Sequence, residues 1–272
     1  MMDASHNMND TQYEFSQFLT RELKSGSAID SWLFVSSPWP ICTILAAYLT
    51  FVFEIGPRLM KKREPINIKY IMLVYNLMQI VFNSTVLIYL LATPGVPNYI
   101  WNHSCHPDRS GAKNHIIYQF HSSSWYFSVS KIIDLLDTVF FVLRKKQSHI
   151  SFLHVYHHVN MVITCFLHLR FIKSENAVYG TIVNSFVHVV MYSYYFLTVL
   201  GPNMQKYLWW KKYLTRIQIV QFLFGISYCV SLFAFNCTFP KSFIAYILAD
   251  VAVFLFLFVK FYKKTYKRRE KI

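Results

Sequence analysis

His154, His157 and His158 lie within Ser151-Phe152-Leu153-His154-Val155-Tyr156-His157-His158-Val159-Asn160-Met161. In a helix, positions i, i+3 and i+4 share a face, so the three imidazoles point one way, with Asn160 and Met161 on the next turn. Near neutral pH an imidazole can take up or release a proton, bind a metal or act as a nucleophile. One such histidine is ordinarily a hydrogen-bonded core residue, but three on one face of an apolar helix are costly at membrane depth and mark a functional site.

Three further stripes carry polar residues: Lys131, Asp134, Asp137 and Thr138; Asn184 and His188, with Tyr192, Tyr194 and Tyr195 beyond; and Gln218 with Gln221. Singly, each has a bland explanation. Lys131 and Asp134 can neutralise one another, and a glutamine can simply bridge two helices. Their joint placement depends on the elements that hold them.

Those elements are membrane helices. Of 272 residues, 54% are hydrophobic and 18% aromatic, only 15% are charged, and there are seven glycines. A soluble domain carries far more charge. About 20 apolar residues span a bilayer as a helix. By this measure, seven spans are predicted near 36–55, 69–91, 119–143, 148–170, 178–199, 213–234 and 242–262. The fold class is therefore an all-α polytopic membrane protein: residues 1–35 form an N-terminal segment, 36–262 a single membrane domain, and 263–272 a basic tail. Residues 1–29 are polar and lack a cleavable-signal pattern, so the first span is expected to act as an uncleaved anchor.

The net charge of +14 is spread in short patches between spans, a topology signal rather than a nucleic-acid surface. Alternate loops and the tail hold 19 of the 27 basic residues and the opposite set seven, with Lys131 inside a span. The basic side is expected to face the cytosol, placing the N-terminus in the lumen. Cys105 and Cys237 then fall on lumenal connections, where they can pair, and the sequons at Asn9 and Asn102 are lumenal too. Counted from the cytosolic ends, the polar residues of the third to sixth spans lie about 8 to 24 Å deep. The lumenal halves are apolar. A polar cytosolic layer above a greasy end suits a ligand with an anionic head and a long apolar tail.

The sequence strongly resembles the ELO family of fatty acid elongases. The resemblance is carried by Lys131-Ile132-Ile133-Asp134-Leu135-Leu136-Asp137-Thr138, by the His154–His158 box, by Asn184-Ser185-Phe186-Val187-His188-Val189-Val190-Met191-Tyr192-Ser193-Tyr194-Tyr195, and by Tyr213–Phe222, with Gly56–Met60 and Tyr75-Asn76. It covers residues 35 to 262. It implies a barrel of six helices, the second to seventh spans, around a substrate tunnel, with the first span outside. It further implies condensation of malonyl-CoA with a long-chain acyl-CoA to 3-oxoacyl-CoA, CO2 and CoA in the endoplasmic reticulum membrane. No cofactor is implied beyond the co-substrate malonyl-CoA, and other enzymes of the elongation cycle are the expected partners. Homo-oligomerisation is compatible with it.

On the same resemblance, His157 accepts the acyl chain and His188 is its partner; the chemistry of the neighbouring residues adds the expectation that His154 and His158 orient or exchange protons and that Asn184 holds an oxyanion or a tautomer. Lys131, Asp134, Asp137, Arg144 and Tyr194 join the substrate-binding set, and Gln218 and Gln221 line the entrance. Two alternatives stay open here. The His-x-x-His-His spacing is similar to the boxes of metal-dependent desaturases or hydroxylases, although the other histidines are scattered and no metal ligand set is assigned. A non-enzymatic seven-helix lipid transporter also fits seven spans with buried charge.

Overall fold

A computed structural model describes residues 28–103, 105–107 and 114–267. The expectations that fall on 1–27, 104, 108–113 and 268–272, among them the Asn9 sequon and the end of the basic tail, lie outside the described residues. Helix α1 (Trp39–Met60) starts at Trp39-Pro40, where proline's missing N–H costs nothing. It contains a π turn at Phe51–Ile55. At Gly56 a Cβ would lie 2.6 Å from Val142 Cγ1, so only glycine lets the next layer approach. Then follow α2 (Lys69–Leu91), α3 (Val96–His103), α4 (Asn114–Asp134), α5 (Leu136–Leu143), α6 (Phe152–Leu167), α7 (Val178–Leu200), α8 (Lys211–Ala234) and α9 (Lys241–Tyr262). A π turn, His168–Ile172, prolongs α6. The short helix α3 was not expected.

Among the described residues the structure is helical without strands. Five helices are long and apolar enough to cross a membrane: α1, α2, α7 with the turn preceding it, α8 and α9. The expected third and fourth spans correspond to α4 with α5 and to α6. They fall short of that mark because α4 carries buried Ser122, Ser123, Ser124, Ser128, Ser130, Lys131 and Asp134, and α6 with its π turn carries the histidine box and Asn160.

Helix α2 packs on α4, α4 on α6, α6 on α9, α9 on α8, α8 on α7 and α7 on α2, while α1 leans against α6. At one end lie Lys69, Arg144, Lys145, Lys146, Lys206, Lys211 and Lys212. At the other, Cys105 and Cys237 form a disulfide joining the α3–α4 connection to the α8–α9 connection, and Thr238 N–H donates to the Cys105 carbonyl at 2.9 Å. The first described residues also pack there: Asp30 pairs with Arg170 and Lys173 at 3.3 and 2.8 Å, and Trp125 Nε1 donates to Leu33 O. These two landmarks are called the basic end and the disulfide end below.

Candidate active site

Lys131 and Asp134 sit one turn apart on α4, each about 1% exposed, with Nζ 3.0 Å from Oδ2. A buried ion pair persists only when its remaining hydrogen-bonding capacity is met. Here Lys131 Nζ also lies 3.2 Å from His188 Nδ1 and 3.3 Å from Nε2, and 4.6 Å from the Phe127 ring centre. Asp134 accepts from Gln79 Nε2 and from the Tyr192 hydroxyl at 3.0 Å. Tyr192 also reaches Asp137 Oδ2 at 2.8 Å and the Tyr75 hydroxyl at 3.3 Å. The helix breaks at Leu135, between α4 and α5, yet both Asp134 and Asp137 reach Tyr192 across this break.

The histidine box joins the cluster through Thr138. Ser151 caps α6, its Oγ accepting from His154 N–H. His154 Nε2 lies 3.0 Å from Thr138 Oγ1, which is 2.8 Å from the Tyr48 hydroxyl of α1. The His154 and His158 rings are 4.4 Å apart and those of His157 and His158 5.4 Å. His157 meets Phe254 of α9 at 5.1 Å, and the buried Lys131 ammonium lies within electrostatic reach of it.

His157 faces a cavity of about 230 Å³. Beside it the wall carries Asn184 and Gln221, whose Oδ1 and Oε1 are buried without a partner among the described residues. From there the cavity runs toward the disulfide end past Cys165, Gly180, Gly225 and Cys229 to His168, Leu232, Phe239 and Phe243. Eleven residues of helix separate His157 from His168, a run of about 16 Å. The lining is mostly apolar. The His157 imidazole therefore heads a mostly apolar cavity, with two unpartnered amide oxygens beside it and a buried cation within electrostatic reach.

The structure thus brings together His154, His157, His158, His188, Lys131, Asp134, Asp137, Asn184 and Gln221. It does not bring in the rest. Tyr194 packs against Trp210 at 5.1 Å in a separate core cluster. Gln218 contacts Met191 Sδ at 3.7 Å and does not line the cavity. Arg144 lines a second cavity at the basic end. Among the described residues no three His, Cys, Asp or Glu side chains converge as metal ligands.

Sequence reasoning missed Gln79 and Tyr48, whose types are unremarkable in membrane helices. It also missed Asp250. This carboxyl, inside apolar α9, lines the cavity and accepts from the Tyr156 hydroxyl at 2.9 Å. The signal was available, since an aspartate within an apolar span is as exceptional as a histidine.

Comparison with known proteins agrees with this arrangement. Residues 33–272 match the ELO family, described as the GNS1/SUR4 family. The human protein named very long chain fatty acid elongase 4 is 38% identical over 243 residues, covering 89% of this chain and 76% of that protein. Its mouse counterpart is 39% identical over 239 residues, covering 88% and 75%. The rat protein named very long chain fatty acid elongase 7 is 35% identical over 246 residues, covering 90% and 86%. With a family match over nearly its whole length and relatives at this identity, the chain is a multi-pass membrane protein belonging to the ELO family.

Proposed function

We propose that this chain is a very long chain 3-oxoacyl-CoA synthase, condensing malonyl-CoA with a long-chain acyl-CoA. One observation carries the reading: His157 stands at the head of an apolar cavity, beside Asn184 and Gln221, next to the buried Lys131–Asp134–His188 cluster. The names of its relatives support fatty acid elongation as the process. The packing order of α2, α4, α6, α9, α8 and α7 supports a six-helix barrel with α1 outside, hence seven spans with α4–α5 and α6 among them. The basic end faces the cytosol, where both CoA substrates are found, and the disulfide end faces the lumen of the endoplasmic reticulum.

The reaction runs in two halves. His157 attacks the acyl thioester carbonyl, the C–N bond forms, the C–S bond breaks, and the imidazole proton goes to the departing CoA sulfur. Malonyl-CoA then loses CO2. The electrons of the broken C–C bond remain on C2 as an enolate, which attacks the acyl-imidazole carbonyl. The new C–C bond forms as the C–N bond breaks, and the imidazole regains a proton. One proton is consumed per turnover. The Lys131 ammonium opposes the charge that develops on oxygen, in a dry site where such stabilisation is strong. His188, held by Lys131, partners His157. His158, in ring contact with both His154 and His157, sets the position of the His157 ring. The alkyl chain fills the cavity toward Phe239 and Phe243.

Membranes containing this chain should incorporate radiolabelled malonyl-CoA into products two carbons longer, and His157→Ala should abolish incorporation. Intact-mass analysis with acyl-CoA alone should trap an acyl adduct on the wild type. An adduct that persists in His157→Ala would sink the acyl-imidazole step.

A further inference from the structure

Helix α1 stands beside the ring of α2, α4, α6, α9, α8 and α7 and leans on α5 and α6. Its buried residues Ile41, Leu45, Tyr48 and Val52 recur at helical spacing and pack in one core with Leu135 and Val155. Of those four, Tyr48 alone carries a hydroxyl. An apolar stripe suffices to dock a helix, so a phenol that is only 5% exposed calls for another explanation.

The Tyr48 hydroxyl lies 2.8 Å from Thr138 Oγ1, and Thr138, fully buried, lies 3.0 Å from His154 Nε2 on its other side. Thr138 has a single hydroxyl proton, so it donates to one neighbour and accepts from the other. The string therefore runs in one direction. Tyr48 makes no second hydrogen bond among the described residues. Were Thr138 to donate toward Tyr48, the phenol O–H would be buried with no acceptor, which is the costlier arrangement. Tyr48 thus donates to Thr138, and Thr138 donates to His154. His154 Nε2 is then an acceptor, and the ring carries its proton on Nδ1.

The consequence reaches the reacting ring. His154 meets His158 with ring centres 4.4 Å apart, and His158 meets His157 at 5.4 Å. With Nε2 occupied, His154 can neither turn its ring nor move its proton to that nitrogen without breaking the string from α1.

Resting on the condensing-enzyme reading above, we infer that Tyr48 and Thr138 are positioning residues of the histidine box: they hold His154 as the Nδ1–H tautomer and, through it, fix the pose of His158 and His157. Helix α1 is thereby a working part of the site. The tautomer is read directly by nitrogen NMR on the full chain in nanodiscs, isotope-labelled at histidine, with His154→Gln identifying the His154 signals. Wild type should show one neutral form, protonated on Nδ1 and bare on Nε2. Tyr48→Phe frees Thr138 to turn and Thr138→Val removes the contact, so both should give a mixture of tautomers; Thr138→Ser keeps the hydroxyl and should keep the single form. A wrong tautomer costs turnover rather than binding, so kcat for malonyl incorporation should fall about tenfold in Tyr48→Phe and Thr138→Val, with KM for acyl-CoA unchanged and Thr138→Ser near wild type. A wild-type His154 protonated on Nε2 overturns the proposal. So does a tautomer that stays single in both variants, even if activity falls, because that loss would be structural; so does a mixture that leaves kcat intact. The NMR reading needs no turnover, so the expected tautomer shift in a chain that incorporates no malonyl label would count against the condensation reading and leave the hold of α1 on His154 in place.

Discussion

Tyr192 has one hydroxyl proton and two carboxyls to serve, Asp134 at 3.0 Å and Asp137 at 2.8 Å. It can donate to only one, so the second contact needs a proton from the other partner. Asp134 faces the Lys131 ammonium and is the natural carboxylate of the pair. Asp137 has no ion pair among the described residues, so it is the carboxyl expected to take up that proton. The two aspartates should therefore answer differently to the same substitution. Asp137→Asn keeps a donor in place and should retain much of the activity. Asp134→Asn strands a buried ammonium, at a cost of about 3–5 kcal/mol, and should abolish turnover. Infrared spectroscopy supplies the check, because the carboxylic acid band should vanish in Asp137→Asn and persist in Asp134→Asn. Equal loss of activity in both would remove the asymmetry. The stripes Lys131–Thr138 and His154–His158 were legible in sequence because charge at membrane depth is conspicuous. Gln79 and Tyr48 were not, because an amide or phenol acquires meaning only from what it touches.

At the scale of elements, hydropathy located the helices and failed at their irregularities. Nothing in local composition announces the break at Leu135 or the π turn at His168, where packing around polar groups overrides propensity. The serine-rich start of α4 lies in a predicted span and stays helical, its hydroxyls closing onto backbone carbonyls, as Ser122 does to Tyr118 and Ser123 to Phe120. Two glycines of α7 and α8 show what sequence hides. Both line the cavity, but a Cβ on Gly180 would meet nothing within 4 Å, whereas one on Gly225 would lie 3.5 Å from Val251 of α9. Gly180 thus borders the channel and Gly225 borders a helix. Gly180→Leu should fold and, on the proposed reading, shift products to shorter chains, because its side chain fills cavity space that the acyl tail would then lose. Gly225→Leu should strain the α8–α9 seam by about 1–3 kcal/mol and lower the thermal midpoint. Product analysis by mass spectrometry and a melting curve together test the pair; an unchanged product length in Gly180→Leu would show that the tail takes another path.

On the scale of the whole molecule, two features divide the ends: the clustered cations and the disulfide. A disulfide persists where the medium is oxidising, and clustered Lys and Arg favour the cytosolic side, so on the proposed orientation the cations face the cytosol and the disulfide the lumen. The bond also closes a long circuit, 132 residues in separation, tying the α3–α4 connection to the α8–α9 connection. Loop entropy for a circuit of that length corresponds to about 5 kcal/mol. Phe239 and Phe243, which floor the cavity, follow Cys237 directly and pack with it. Replacing Cys105 and Cys237 with serine should therefore do two things: lower the thermal midpoint by several degrees and broaden the product distribution as the floor loosens. The orientation is checked in the same protein. In sealed microsomes a membrane-impermeant maleimide should leave a cysteine placed at Thr238 untouched and label one placed at Lys145; the reverse pattern would turn the molecule over and put the channel's closed end in the cytosol.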